Sequence, residues 1–216
     1  MEKSEIKDTG SLYKETKFGR FPVEPFNTYS NLIFLLFFVF WIIRIWGNWS
    51  QNIFLLVCLP FIFIAWVGGT MYHAKRNSKF WVQVDVYFIM IVAMLFTFYF
   101  WNKSEFFWVF SLLGIAPIII GALIIRKSET LFALSLGYLI IGLFLLIPII
   151  IFLIKNSFFG FWYILLAFAF SAIGLFLRSI DMKVRFMHGT HWLWHICGGI
   201  ATNFLIVFIY ISSNII

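Results

Sequence analysis

Apolar residues fall in seven long runs along this chain, and a polar segment precedes them. The runs cover 28–46, 53–73, 83–101, 106–126, 131–154, 158–177 and 191–212, with short polar connections between them. Each is close to the length of about 20 residues that a helix needs to cross the hydrocarbon core of a bilayer. The pattern predicts an all-α integral membrane protein: residues 1–26 form a polar N-terminal segment, and residues 27–216 form a seven-transmembrane helix bundle.

The composition supports a membrane protein and excludes an ordinary soluble domain. Of the 216 residues, 62% are hydrophobic and 12% are charged, whereas soluble domains have roughly 45–50% apolar residues. The first residues lack the apolar core of a signal peptide, so we expect none. Cys58 and Cys197 both fall inside apolar runs, and we therefore expect no structural disulfide.

Positive charge lies almost entirely at the ends of runs that share one side of the predicted membrane. Thirteen of the 16 Lys and Arg residues precede the first run or follow the second, fourth and sixth. This bias predicts the N-terminus in the cytoplasm and the C-terminus outside, in the inner membrane if the source is bacterial. Because the basic residues that give the net charge of +7 flank the spans, we interpret them as setting topology, and we expect no nucleic-acid partner.

Polar side chains inside the runs also gather at one side of the membrane. His73 ends the second run, Asp85 opens the third, and His191 and His195 open the seventh. Polar groups at membrane depth are costly and usually face the interior of the bundle. Their clustering at one side argues against a channel or transporter, whose polar residues would line a path across.

Three of the four histidines could therefore share one metal ion. His191 and His195 lie one turn apart on the same helix face, and His73 has a similar depth. Three histidines with an open fourth position are typical of a catalytic zinc site, which activates water and polarises a carbonyl. Asp85 is the candidate for proton transfer, and the Thr70 hydroxyl is the candidate for oxyanion stabilisation. The plainer alternatives are a polar histidine pair and a salt bridge from Asp85 to the basic loop.

Three sequence blocks resemble the alkaline ceramidases and the wider superfamily of seven-span hydrolases. They are Glu24–Asn31 (EPFNTYSN), Gly68–His73 (GGTMYH) with Asp85 after it, and His191–His195 (HWLWH). The first block points to ceramidases in particular. The other two are shared with progestin/adiponectin receptor-like and haemolysin III-like proteins.

The resemblance implies a site and a reaction. Zinc would be held by His73, His191 and His195, with Asp85 as the acid/base residue. The lipid substrate would be a ceramide or a similar N-acyl lipid, cleaved at its amide to a fatty acid and a sphingoid base. The alternative is a receptor-like protein with a structural zinc and little or no turnover. Nothing in the sequence sets the substrate's chain length or an oligomeric state.

Two features depart from the family pattern. The family usually has serine four residues before the first histidine, whereas this chain has Gly69, so we expect Thr70 to take its place. Some ceramidases also bind calcium through an acidic N-terminal segment, and Glu15 and Glu24 match two of those positions. Other ligand positions lack oxygen-rich side chains, and hard cations need several oxygens. We therefore favour support of the zinc ligands by Glu15, Glu24 and Asn27 over a calcium site.

Overall fold

The computed structural model describes residues 10–104, Leu123 and 131–213, and within these ranges the chain is helical, without a β-strand. The helices are α1 Pro25–Ser30, α2 Leu32–Ile45, α3 Ile53–Lys75, α4 Lys79–Lys103, α5 Leu131–Lys155, α6 Phe161–Ser179 and α7 His191–Ser213. A 3₁₀ helix, Trp46–Asn52, joins α2 to α3. Each predicted run within the described ranges coincides with a helix, and α1 and α2 share the first. The predicted fourth run, 106–126, lies outside the described residues apart from Leu123.

The helices have the length and surface of membrane spans. Four helical stretches of the described chain are long and apolar enough to cross a bilayer: Pro25–Lys75, which contains α1 to α3, and those of α4, α6 and α7. Large apolar side chains face outward, among them Ile43 at 70% and Trp162 at 69% exposure. Such a surface would be unfavourable in water and is suited to lipid. The chain is therefore an all-helical membrane protein.

Tight connections bring the polar run ends together. Arg76 adopts a left-handed conformation (φ 46°) that ends α3, and the Ser78 hydroxyl accepts the backbone N–H of Phe80 at 3.2 Å to begin α4. The α3–α4 hairpin therefore places His73 and Asp85 at the same end of the bundle. The C-terminus of α6 and the N-terminus of α7 lie at this end too, which we call the histidine end.

The opposite part of the bundle is packed with aromatic and aliphatic side chains. Phe96, Phe100, Phe152 and Phe208 are almost fully buried, and the Phe100 and Phe208 rings stack with centroids 5.4 Å apart. A core packed this closely resists deformation. It provides a rigid base for the polar groups at the histidine end.

The N-terminal segment folds over the histidine end. The backbone N–H groups of Val23 and Glu24 donate to the carbonyls of Ala74 and His73 at 3.0 and 3.1 Å. The backbone N–H of Lys14 donates to the Asp181 carboxylate at 2.9 Å, which ties the segment to the α6–α7 connection. The described part of the predicted polar N-terminal segment, from Gly10 onward, therefore belongs to the histidine end.

Candidate metal centre

Three buried imidazoles meet at the histidine end. One ring nitrogen each of His73, His191 and His195 lies within 4.8 Å of the others, and the three residues are 1%, 2% and 7% exposed. The ring centroids are 5.3 Å apart for His73 and His191 and 4.8 Å apart for the other two pairs. The predicted convergence is confirmed: the cluster could hold one metal ion, as three histidines do in zinc enzymes.

Glu24 fixes the orientation of His73. Its Oε2 lies 2.5 Å from His73 Nδ1. Burial acts to raise the pKa of Glu24, but the hydrogen bond from His73 and the positive charge of Arg76 outweigh it, and the pKa lies below its ordinary value. An ionised carboxylate only accepts hydrogen bonds, so Nδ1 carries the proton. The Nε2 lone pair of His73 is left for a metal, as in carboxylate–histidine–zinc arrangements.

Ser30 does the same for His195. The Ser30 hydroxyl donates its one proton to the Asn27 carbonyl at 3.1 Å, and its oxygen lies 2.8 Å from His195 Nδ1. With the serine proton on the Asn27 carbonyl, the oxygen is in position to accept from the imidazole. Nδ1 of His195 is then the protonated nitrogen, and Nε2 is available as a ligand.

His191 is positioned through its backbone and by a stacked ring. Asp181 accepts the backbone N–H groups of Thr190 and His191 at 2.6 and 2.8 Å, and thereby caps the N-terminus of α7 with a negative charge. The preceding Gly189 has φ +67°, and a Cβ there would lie 2.1 Å from Asp181 Oδ1. Nδ1 of His191 is buried and has no hydrogen-bond partner among the described residues. An orphaned imidazole nitrogen, beside two imidazoles with defined tautomers, fits a metal ligand set.

Tyr13 covers the cluster on the side of the N-terminal segment. Its ring stacks on His191 with centroids 3.7 Å apart and an interplanar angle of 18°, and it is 5% exposed. Burial raises the pKa of Tyr13 to about 12, so its hydroxyl stays protonated at neutral pH. An uncharged aromatic ring therefore separates the imidazoles from water on this side.

Arg76, at the end of α3, binds the N-terminal segment at several points. Its guanidinium pairs with Glu24, donates to the carbonyls of Gly10 and Ser11 at 3.3 and 3.0 Å, and lies over the ring of Tyr72. The second carboxylate of the expected group, Glu15, accepts the backbone N–H groups at the start of α1. Both carboxylates thus have protein donors, and these contacts favour support of the zinc ligands over calcium.

Asn27 belongs to this supporting network. Its side-chain amide donates to Glu24 at 3.2 Å, and its backbone carbonyl accepts from Ser30 and from the Asn31 amide. Asn27 therefore joins the partner of His73 to the partner of His195. Support of a bound metal by Glu15, Glu24 and Asn27 stays a prediction, and their contacts place them in one hydrogen-bonded group behind the histidines.

A cavity of about 200 Å³ opens beside the histidines. Asp85 lines it together with the three imidazoles, and Asn31 and Arg178 also face it. Thr70 is not among the residues that line this cavity, and its hydroxyl has no hydrogen-bond partner within the described chain. Gly69 faces Asp85 instead, since a Cβ at that position would lie 3.0 Å from Asp85 Oδ1.

A second cavity continues the first towards the middle of the bundle. Its volume is about 120 Å³, and it shares the lining residues Phe34, Ala65, Ile89, Thr202 and Leu205 with the first. Apart from Thr202, its lining is apolar. The combined space is polar at the histidines and apolar beyond them, which suits an amphiphile.

Sequence patterns did not identify Tyr13, Arg76 or Arg178 as site residues. Tyr13 belongs to a segment without hydrophobic periodicity, and the two arginines appeared only as topology-setting charges. One available signal was the count of basic residues at the ends of runs two and six. A cation adjoining a polar cluster at membrane depth can turn inward and pair.

Comparisons with known proteins give no family for this chain. No protein-family model matches it, and no curated protein matches its sequence.

Proposed function

We propose that this protein is a zinc-dependent intramembrane hydrolase that cleaves the amide bond of ceramide-like N-acyl lipids. The observation that supports it most is the meeting of His73, His191 and His195 at one cavity with Asp85. A carboxylate beside a three-histidine centre is the donor set of a metal-assisted hydrolase. The products would be a fatty acid and a sphingoid base.

The proposal includes a topology. Residues 106–126 form a fourth span, which completes a seven-helix bundle. The excess of Lys and Arg at the histidine end supports a cytoplasmic position for that end and the N-terminus, with the C-terminus outside. The site then acts on lipids of the cytoplasmic leaflet, which in a bacterium is that of the inner membrane.

The roles of the residues follow from their positions. A zinc ion bound by the three imidazoles supplies Lewis-acid activation of water and of the acyl carbonyl. Asp85 accepts a proton from the attacking water and delivers it to the departing nitrogen, so that the acyl C–N bond breaks as a C–O bond forms. Glu24 and Ser30 hold His73 and His195 in the tautomers described above.

The shape of the cavity supports a lipid substrate. The polar part adjoins the histidines, and the apolar extension leads into the bundle. Tyr13 covers the aqueous side. An acyl chain lying in the extension would bring its amide to the histidine end, and the lipid would enter from the bilayer.

One observation favours a second candidate, a receptor-like protein with a structural zinc. Gly69 presents no hydroxyl beside Asp85, at the position where the resembled hydrolases have serine. Without that hydroxyl, an oxyanion would lack one donor, and turnover would be slow.

The test is zinc analysis together with fatty-acid release from labelled ceramide by the protein in lipid nanodiscs. We expect one zinc per chain and measurable release. Asp85→Asn should keep the zinc and lose about 10²- to 10⁴-fold in rate, whereas His195→Ala should lose both. His188→Ala is the matched control, because that histidine stacks on Phe26 outside the cluster. Zinc binding without release from any N-acyl lipid would favour the receptor-like candidate, and absence of zinc would contradict both.

A further inference from the structure

The connection between α6 and α7 has an outer surface that combines cations with large apolar side chains. Met182, Phe186 and Met187 are exposed, the last two at 72% and 69%. Lys183 and Arg185 lie between them in the sequence and are exposed too. We call these five residues the basic–apolar surface. Because they follow the end of α6 and precede the start of α7, the lipid-facing flanks of the helices do not explain their apolar side chains.

The charges at the histidine end are sorted by depth. Among the described residues, the carboxylates of this end are all withdrawn from the outer surface: Glu15, Glu24 and Asp181 are buried, and Asp85 lines the histidine cavity. The outer surface of the described part of this end therefore presents cations to a partner and no exposed carboxylate. These exposed cations are Lys17, Arg20, Lys75, Lys79, Lys183 and Arg185.

The N-terminal segment extends the basic–apolar surface. The Lys14 side chain donates to the Val184 carbonyl, so the segment lies against the α6–α7 connection. Beyond this contact, the segment exposes two aromatic side chains, Phe18 and Phe21, close in sequence to the exposed Lys17. Two separate stretches of the chain thus present the same combination of chemical groups at one end of the bundle.

We propose that the basic–apolar surface lies in the interfacial layer of the membrane and binds anionic phospholipid headgroups there. Large apolar side chains are stabilised at the boundary between headgroups and acyl chains, and neighbouring cations are attracted to anionic lipids. Each Lys or Arg near such a surface strengthens binding about fivefold. The proposal is independent of hydrolysis, since it rests on residues outside the cavity.

The two kinds of side chain together favour a lipid over other anionic partners. A nucleic acid would neutralise Lys183 and Arg185, but its phosphate backbone offers no apolar contact to Phe186 and Met187. A soluble acidic protein would approach from the aqueous side. The connection, in contrast, joins two helices that are long and apolar enough to cross a bilayer, so the lipid boundary is the nearest partner for its exposed side chains.

The first experiment measures lipid selectivity and needs no turnover. Protein in a neutral detergent is titrated with fluorescent phosphatidylglycerol and with the phosphatidylcholine that carries the same chains and label. The wild type should bind phosphatidylglycerol at least about tenfold more tightly, and high salt should remove most of this preference. Lys183→Gln and Arg185→Gln should each weaken phosphatidylglycerol about fivefold, and together about 25-fold, with phosphatidylcholine unchanged. Lys103→Gln, at the opposite end of α4 from the histidines, is the matched control and should change neither lipid.

The second experiment locates the apolar side chains. A nitroxide is attached to Met187→Cys in nanodiscs that contain phosphatidylglycerol; the native Cys58 and Cys197 are buried, which favours labelling of the new thiol. Collisions of this label with oxygen, which concentrates in lipid, should exceed those with a water-soluble nickel chelate. Asn77→Cys is the matched control, because Asn77 is an exposed polar residue in the α3–α4 connection at the same end. Its label should show the opposite preference.

Three results would overturn the proposal. Equal affinities of the wild type for the two lipids would mean that headgroup charge is not selected. Phosphatidylglycerol binding that is unchanged in the double glutamine variant would place any selection elsewhere. A label at residue 187 that meets the nickel chelate as often as the label at residue 77 would mean that the surface faces water, as expected for a soluble acidic partner or a nucleic acid. The salt dependence of wild-type binding and the nitroxide measurement leave both cations in place, so they test the proposal even if a glutamine variant is unstable.

Discussion

The Ser30 hydroxyl lies behind His195 and, together with the Asn27 backbone, orients its imidazole towards the cluster. The hydroxyl donates to the Asn27 carbonyl at 3.1 Å, and its oxygen lies 2.8 Å from His195 Nδ1, in position to accept from that nitrogen. In Ser30→Ala, Nδ1 loses this acceptor. The imidazole can then rotate or exchange tautomers, and Nε2 is no longer held towards the other two histidines. We therefore predict that Ser30→Ala binds zinc more weakly while the helix stays intact.

The size of the effect follows from what is removed. Loss of a hydrogen-bond partner behind a metal-ligating histidine typically costs about 10- to 100-fold in metal affinity. Ser30 supports one histidine of three, and His73 keeps its bond to Glu24. We therefore expect the lower end, about tenfold, or about 1.4 kcal/mol of zinc-binding free energy. The lost hydrogen bonds themselves should lower the free energy of unfolding by only about 1 kcal/mol.

The assay is competition for zinc with a chromogenic chelator at fixed pH, on detergent-solubilised protein first stripped of metal. Ser171→Ala is the matched control. Ser171 lines the same cavity, but its hydroxyl donates to the Ala167 carbonyl of its own helix at 2.8 Å. That variant removes a hydroxyl from the cavity without touching a histidine, and its zinc affinity should equal that of the wild type.

Two results would refute the reasoning. Wild-type zinc affinity in Ser30→Ala would mean that the serine does not set the tautomer of His195. Equal weakening in Ser171→Ala would mean that the affinity reports the general polarity of the cavity, and not the support of one imidazole.

Three further predictions concern the N-terminal segment and the start of α7. Tyr13→Ala removes the ring stacked on His191 and should speed modification of that histidine by diethylpyrocarbonate in the metal-free protein, measured by mass spectrometry. Tyr13→Phe keeps a ring and should not change the rate. Equal rates in the alanine variant and the wild type would contradict the protection of His191 by Tyr13. Arg76→Gln leaves the Glu24 carboxylate buried without its guanidinium. The variant should lose about 3–5 kcal/mol of unfolding free energy and have a lower Tm. Stabilisation of the wild type by added calcium, or its loss of stability in EGTA, would count against Arg76 as the cation that pairs with Glu24. Gly189→Ala places a side chain at φ +67° against Asp181. The variant should lose about 1–3 kcal/mol of unfolding free energy and bind zinc more weakly. An unchanged Tm would contradict this and show that the N-terminus of α7 adapts.

The depth of each residue along the helices was predictable from sequence, and depth alone indicated which histidines could meet. His73 ends the second predicted run and His191 begins the seventh, and the even number of predicted crossings between them placed both at one end of the bundle, where the three histidines meet in the structure. Within the described ranges, the run boundaries also agree with the helices to within a few residues, apart from the start of α4. What these patterns encode is position along the membrane normal.

Rotation about the helix axis was not predictable in the same way. Adjacent residues differ by about 100° in direction, so Thr70 and Gly69 have nearly the same depth but face differently. The structure directs Gly69 towards Asp85 and leaves Thr70 out of the cavity lining. Which face turns inward depends on packing against neighbouring helices, and a uniformly apolar run carries little periodic signal for it.

The N-terminal segment was harder still, because its place depends on tertiary contacts alone. No apolar period links Tyr13 to His191. Their stacking depends on Lys14, whose backbone bonds to Asp181, and on the carbonyls of Gly10 and Ser11 bonded to Arg76. Such contacts join residues more than 60 positions apart, and local sequence does not encode them.

The position of the polar groups at one end of the bundle has an energetic reason. A carboxylate, a guanidinium and three imidazoles at the bilayer centre would have to be satisfied by neighbouring spans alone. At the histidine end, the N-terminal segment supplies further donors and acceptors, such as the Thr16 hydroxyl that bonds Glu24. The segment therefore does two things at once: it satisfies the buried charges, and it excludes bulk water from the imidazoles through Tyr13. The hydrolase that we propose would need both, because its reacting groups must be ionised or polar while its lipid substrate stays in an apolar space.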